Sequence, residues 1–172
     1  MSGRVLVAGI GNIFLSDDGF GSEVARRLLG TLPTDVKVVD YGIRGMHLAY
    51  DLLDGYEALI VIDALPGKAD PGALCVLEVG PDDLGDGEFD AHGMTPVAVL
   101  ASLGTMGGNL PLTYVVGCQP ADVGDGMGLT PAVAAAVDGA VELVRALLAD
   151  ELGIPLERDR DSVDAGNREE SQ

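Results

Sequence analysis

Asp18, Asp63 and His92 are the residues of this chain whose types and positions could do chemistry together. Asp18 stands in NIFLSDDGFG, just past a glycine turn, and Asp63 ends the apolar run ALIVID. His92 comes shortly before Thr95-Pro96, where a helix is expected to begin. Two carboxylates and an imidazole allow two kinds of chemistry. Oxygen and imidazole donors suit a borderline divalent ion such as nickel or zinc, with positions left open for further ligands. Alternatively, two carboxylates share a water for acid–base hydrolysis, one kept protonated by the charge of the other. The spacing has no compact metal signature, and each residue alone reads plainly as a helix-start acid, a sheet-edge acid and a loop histidine.

The glycine turn before Asp18 poses a separate question. Gly9 and Gly11 match the first two glycines of a dinucleotide-binding loop, and Asp40 stands near the place of a ribose-binding acid. Phe14 occupies the third glycine position, and Asp17 and Asp18 fall where a pyrophosphate would lie. Two carboxylates there repel a phosphate. The remaining reading is a tight strand-to-helix turn in which Asn12 tolerates unusual backbone angles and Asp17 complements the helix dipole.

The elements that must position these residues alternate. Apolar runs bounded by turn residues predict strands at 4–10, 36–42, 58–64, 73–79 and 112–118. Helices are expected from Asp18 to Leu29, with Ser16 as N-cap and Gly30 as stop, then at 45–54 and from Thr95-Pro96 to about Leu103. A last helix opens at Thr130-Pro131, with Val133, Val137, Val141, Val144 and Leu148 as its apolar stripe. This order predicts a three-layer α/β domain, a five-stranded twisted sheet, mostly parallel or mixed, with helices on both faces. The short link between the third and fourth strands points to one antiparallel pairing between them. With the first and third strands central and parallel, Asp18, Asp63 and His92 converge over one sheet edge, where open α/β sheets place their ligands. The domain is expected over 1–154, and 155–172, nearly without apolar residues, reads as a disordered acidic tail.

Composition narrows the classes. The 172 residues carry a formal net charge of −18 with a pI near 4.1, which disfavours nucleic-acid and anionic-membrane partners. No apolar run reaches the ~18 residues of a membrane span, so a cytoplasmic monomer is expected. Cys75 and Cys118, alone in apolar stretches, read as reduced core residues. His47 reads as a surface histidine on the second helix. Asp40 is expected to face the substrate or to support the site, with Gly42 and Gly45 in a mobile loop beside it.

Taken together, GIGNIFLSDDGFG, VVDYGIRGM, LIVIDA, AHGM and GCQPADVGDGMGLTPAV resemble, in the right order over about residues 4–150, the hydrogenase maturation endopeptidases. The resemblance implies an endopeptidase that clips a C-terminal extension from the large-subunit precursor of a nickel-iron hydrogenase once nickel is inserted. It places the family's metal-contacting carboxylates on Asp18 and Asp63 and its histidine on His92, and leaves Asp17 at the helix start. It also implies a resting enzyme without cofactor, the nickel being contributed by the precursor, and a catalytic step that is either aspartic-type or metal-assisted. Tyr41 stands where the family often has the middle residue of D-G-G, and the 81–90 loop also differs, which bears on the choice of partner hydrogenase. Two other classes compete. A nickel-binding assembly chaperone would use the same trio without hydrolysis. A nucleotide-handling enzyme would need a basic phosphate clamp, for which Arg44 is the sole cation near the rim.

Overall fold

VLVAGI carries nothing but apolar residues and glycine, and in the computed structural model, which describes residues 4–84 and 96–156, it is buried along its whole length as β1 (Val5–Ile10). The chain continues through α1 (Phe20–Leu28), β2 (Val36–Gly42), α2 (Gly45–Leu52), β3 (Ala58–Ala64) and β4 (Leu74–Val79). It ends in α3 (Pro96–Thr105), β5 (Leu112–Cys118) and α4 (Pro131–Ala146), followed by a short π-helical turn at Leu147–Glu151. The strands form one sheet in the order β2-β1-β3-β5-β4. The first four in that order run parallel, and β4 is antiparallel. The expected mixed α/β sheet is therefore present. Its antiparallel pair is β4 with β5 rather than with β3, because β5 enters between the two strands that the sequence places side by side.

Alternation along the strands explains the two cores. Val5, Val7, Ile60 and Ile62 point to the face covered by α1 and α4. Leu6, Ala8, Leu59 and Val61 point to the face covered by α2 and α3. A strand buried on both faces has no polar side, which is why these runs read as continuous apolar stretches. On α4, Val133, Val137 and Val144 are buried as the stripe predicts, with Val141 partly buried beside them, and Leu148 continues the stripe in the π-helical turn. Each fully buried side chain of this kind stabilises the fold by roughly 1.5–3 kcal/mol. Ile154 and Leu156 add to the same layer, whereas 157–172 lie outside the described residues. No helix among the described residues is long and apolar enough to cross a membrane.

Two expectations change at the site end. Residues Ser16–Gly19 form a 3-10 turn, and α1 starts only at Phe20. Ser16 does not cap it: its hydroxyl donates to the carbonyl of Gly124, 2.9 Å away. Cys118 is in the core as expected, but Cys75 is exposed, because β4 is an edge strand whose middle residues lie open to solvent. Gly21 lets α1 lie directly on the sheet: a methyl there would run into the carbonyls of Ile62 and Ile10. The register then sets the rim, since Gly9 is level with Ile62 and the turn after Ile10 meets the end of β3 at Asp63.

Candidate active site

The turn that leaves β1 is shaped by its polar atoms. Gly11 adopts φ +135°, and a methyl on it would collide with the carbonyl of Asp18 and come within 3.6 Å of Asp63 Oδ1. Only glycine gives the backbone this room. The Gly11 N–H donates to the Gly42 carbonyl (2.9 Å), tying the turn to the end of β2. The Asn12 N–H donates to Asp18 Oδ2 (2.8 Å), while Asn12 Oδ1 accepts from the Phe14 N–H (2.9 Å). The half-buried Asp18 carboxylate is thus aimed by the glycine turn itself.

Asp63 is 5% exposed, and its Oδ1 accepts the Ala64 N–H at 2.8 Å. Burial raises its carboxyl well above the ordinary value, the negative charge of Asp18 raises it further, and the Ala64 hydrogen bond lowers it in part. Both carboxyl groups line one cavity of about 380 Å³, walled by Leu15, Ile43, Leu65, Pro66, Pro96 and Val123. The structure therefore brings together two of the three predicted site residues, at the carboxyl ends of β1 and β3. A carboxyl group raised in this way beside a second carboxyl group is an arrangement that acid–base chemistry can use. A cation between them would favour ionisation of both. His92, the third, lies outside the described residues, and among those described no group of three or more His, Cys, Asp or Glu side chains is placed to hold a metal ion.

Asp17 is the residue that sequence reasoning missed. It is fully buried rather than a dipole-complementing acid at the surface. Its carboxylate accepts the N–H groups of Ala121 (2.8 Å), Asp122 (3.0 Å) and Thr130 (2.7 Å), and the Thr130 hydroxyl as well (2.8 Å). Burial pushes its carboxyl up, but these hydrogen bonds from Thr130, Asp122 and Ala121 outweigh it and hold the group below the ordinary value. The partners lie more than a hundred residues away in sequence, so the DD doublet was the sole local signal.

The other candidates fall beside the pair rather than in it. Asp40 accepts the Ser22 hydroxyl (2.6 Å) and pairs with Arg26 (3.4 Å). It lines a second cavity of about 390 Å³ that shares Gly11, Asn12 and Ile43 with the first, so it ties β2 to α1 and faces the groove. His47 is exposed, as expected, and lines a different cavity with Tyr41, Arg44 and Asp51. There the Tyr41 hydroxyl donates to Asp51 (2.5 Å), and burial followed by this bond pushes the phenol up. The Cys118 thiol is pushed up to about 11, first by burial and then by the charge of Asp17.

Known proteins share this arrangement of elements. The hydrogenase maturation protease (HycI) family model matches residues 23–147, a stretch that starts just after Asp18 and contains Asp63 and His92. The chain is 38% identical over 152 residues to the hydrogenase expression/formation protein HupD of Rhodobacter capsulatus, covering 85% of this chain and 72% of that one. It is 32% identical over 149 residues to the hydrogenase 2 maturation protease of Escherichia coli, covering 84% and 90%. Among solved structures, the hydrogenase maturating endopeptidase HybD from E. coli superposes with a TM-score of 0.72 at 30% identity, covering 86% of this chain and 93% of that one. On the family match, these relatives and the fold, the chain belongs to the hydrogenase maturation protease family.

Proposed function

We propose that the chain is an endopeptidase that removes a C-terminal extension from the large-subunit precursor of a nickel-iron hydrogenase after nickel insertion. The observation that carries this is the buried Asp63 beside Asp18 in one apolar-walled cavity at the rim of the sheet. A protein that merely needed stability would not keep a carboxyl there, since burying it unpaired is costly. In this reading the nickel is part of the substrate, and the enzyme brings no cofactor of its own. Asp18 and Asp63 present oxygen donors to it, and the apolar walls exclude water around the scissile peptide. Pro96 lines the cavity, and His92 stands four residues before it, within about 14 Å of extended chain. That makes His92 the proposed nitrogen donor. The attacking water is activated either by a carboxylate of the pair as general base or by polarisation of the carbonyl through the substrate's nickel.

The test is the intact mass of a large-subunit precursor, nickel-loaded and nickel-free, after incubation with this protein or its Asp18→Asn variant. The expected result is loss of a C-terminal peptide from the nickel-loaded precursor alone, and with the unaltered protein alone. An unchanged mass with a tight, nickel-dependent complex would replace the endopeptidase reading with that of an assembly chaperone.

A further inference from the structure

The loop from β5 to α4 is stitched along its length to the turn that carries Asp18. The Ser16 N–H donates to the Gly126 carbonyl (2.8 Å), the Gly126 N–H to the Phe14 carbonyl (2.9 Å) and the Asp17 N–H to the Asp122 carbonyl (2.9 Å). Leu15 and Gly126 form a parallel bridge. Ser16 sits at φ +51°, a left-handed conformation uncommon for serine, which these bonds over-determine. From the inside, the buried Asp17 carboxylate closes the stitch on Ala121, Asp122 and Thr130. Yet residues 121–128 are all exposed, so the anchoring serves no core of their own. What it holds in place is surface.

Part of that surface is apolar, beside the exposed Asp122 and Asp125. Val123 is 46% and Met127 71% exposed on the loop, and Phe14 is 60% and Ile43 64% exposed across the turn from it. Val123 and Ile43 line the cavity of Asp18 and Asp63, and Phe14 and Ile43 line the adjoining one. On a chain with a net charge of −18, Phe14, Ile43 and Val123 around two adjoining openings, with Met127 exposed further along the loop, mark a partner surface. Because the loop is already held, docking on it incurs little ordering cost.

We propose that the 121–128 loop, with Phe14 and Ile43, is a preformed docking surface for an apolar segment of the precursor next to the bond that is cut, and that Asp17 is the positioning residue that holds it. The inference rests on the endopeptidase reading for the identity of its partner. It commits to an apolar polypeptide segment because the surface is continuous with the candidate active site and because Asp122 and Asp125 on the loop oppose an acidic one.

The experiment measures kcat and KM for shortening of the nickel-loaded precursor, together with calorimetric affinity for it, in three variants. A Val123→Ser/Met127→Ser double variant is expected to raise KM and Kd about tenfold, as loss of two buried apolar contacts would. Asp17→Asn is expected to raise KM likewise and to speed amide exchange in 121–130 while β1 and β3 stay protected. Thr130→Ser, which keeps the hydroxyl donor, is expected to retain the original KM. Should Asp17→Asn not fold, the double variant decides alone. Unchanged affinity in the double variant, or a fall in kcat at constant KM, would overturn the docking surface. If the unaltered protein shortens nothing, the endopeptidase reading falls by the mass measurement, while the docking surface is still judged by the change in affinity.

Discussion

A carboxyl group buried beside a second carboxylate opposes the fold that contains it, and Asp63 is such a group. Its folded-state value is raised, so the native state holds a proton that the unfolded chain releases in the ordinary carboxylate range. Its contribution is therefore favourable at low pH and is lost as pH rises through the raised value. Replacing it with asparagine removes that penalty. Asp63→Asn is expected to raise Tm by roughly 2–4 °C at pH 7, the gain vanishing toward pH 4, in scanning calorimetry over that range. The same variant should lower the rate of precursor shortening by about 10²–10⁴-fold, the usual worth of a positioned acid or base. A variant that is less stable at pH 7 and still active would deny Asp63 both the penalty and the role. Both Asp63 and Asp18 were legible as chemistry in the sequence, since an ionisable residue straight after five apolar ones marks a strand end. Their convergence was expected too; what was not legible is the part of Gly11, where any side chain would meet the Asp18 carbonyl and approach Asp63 Oδ1.

Among the elements, the strands and the last helix could be read directly, and the connections could not. VLVAGI and ALIVIDA are continuous apolar runs that only a doubly covered strand requires, and α4 shows its stripe in the spacing of its valines. The pairing of β4 depends on where the crossover from α3 returns β5, which no local pattern encodes. The helix start was misplaced for a related reason. Ser16 and Asp17 have the composition of an N-terminal cap, but their polar atoms are taken by Gly124, Ala121, Asp122 and Thr130, from the other end of the chain. This has a consequence for acid stability. The folded-state value of Asp17 is lowered, so its stabilisation is present above the ordinary carboxylate value and lost as pH falls through the lower one. Acid unfolding below about pH 3.8 is expected to start at this junction, with amides of 121–130 exchanging before those of β1 and β3. Asp17→Ala, which strands three backbone N–H groups, should cost at least about 3 kcal/mol in urea unfolding at pH 7. Uniform exchange across the sheet and loop would show that Asp17 does not mark a separate junction.

At the scale of the whole molecule, the acidity argues against a nucleic-acid partner from the sequence alone, but where the bare apolar surface lies had to come from the fold. Both edges of the sheet, β2 and β4, are unpaired among the described residues, and β4 exposes Val76 and Leu77. Open edges with apolar side chains invite pairing between molecules, and natural proteins blunt them with charge. Here the charge is global: 28 acidic residues against 10 basic ones oppose association at neutral pH. The protection should fail where the charge does. Sedimentation at pH 7 is expected to show one species near 17.6 kDa, with association appearing as the pH approaches the pI of about 4.1. The Asp17 clamp still holds there, because hydrogen bonding keeps its carboxyl below the ordinary carboxylate value. Leu77→Lys puts a charge on the edge strand itself and should suppress the association at the same pH. If the lysine variant associates as readily as the parent, the contact is made elsewhere, and the apolar rim of Phe14, Ile43 and Val123 becomes the surface to charge next.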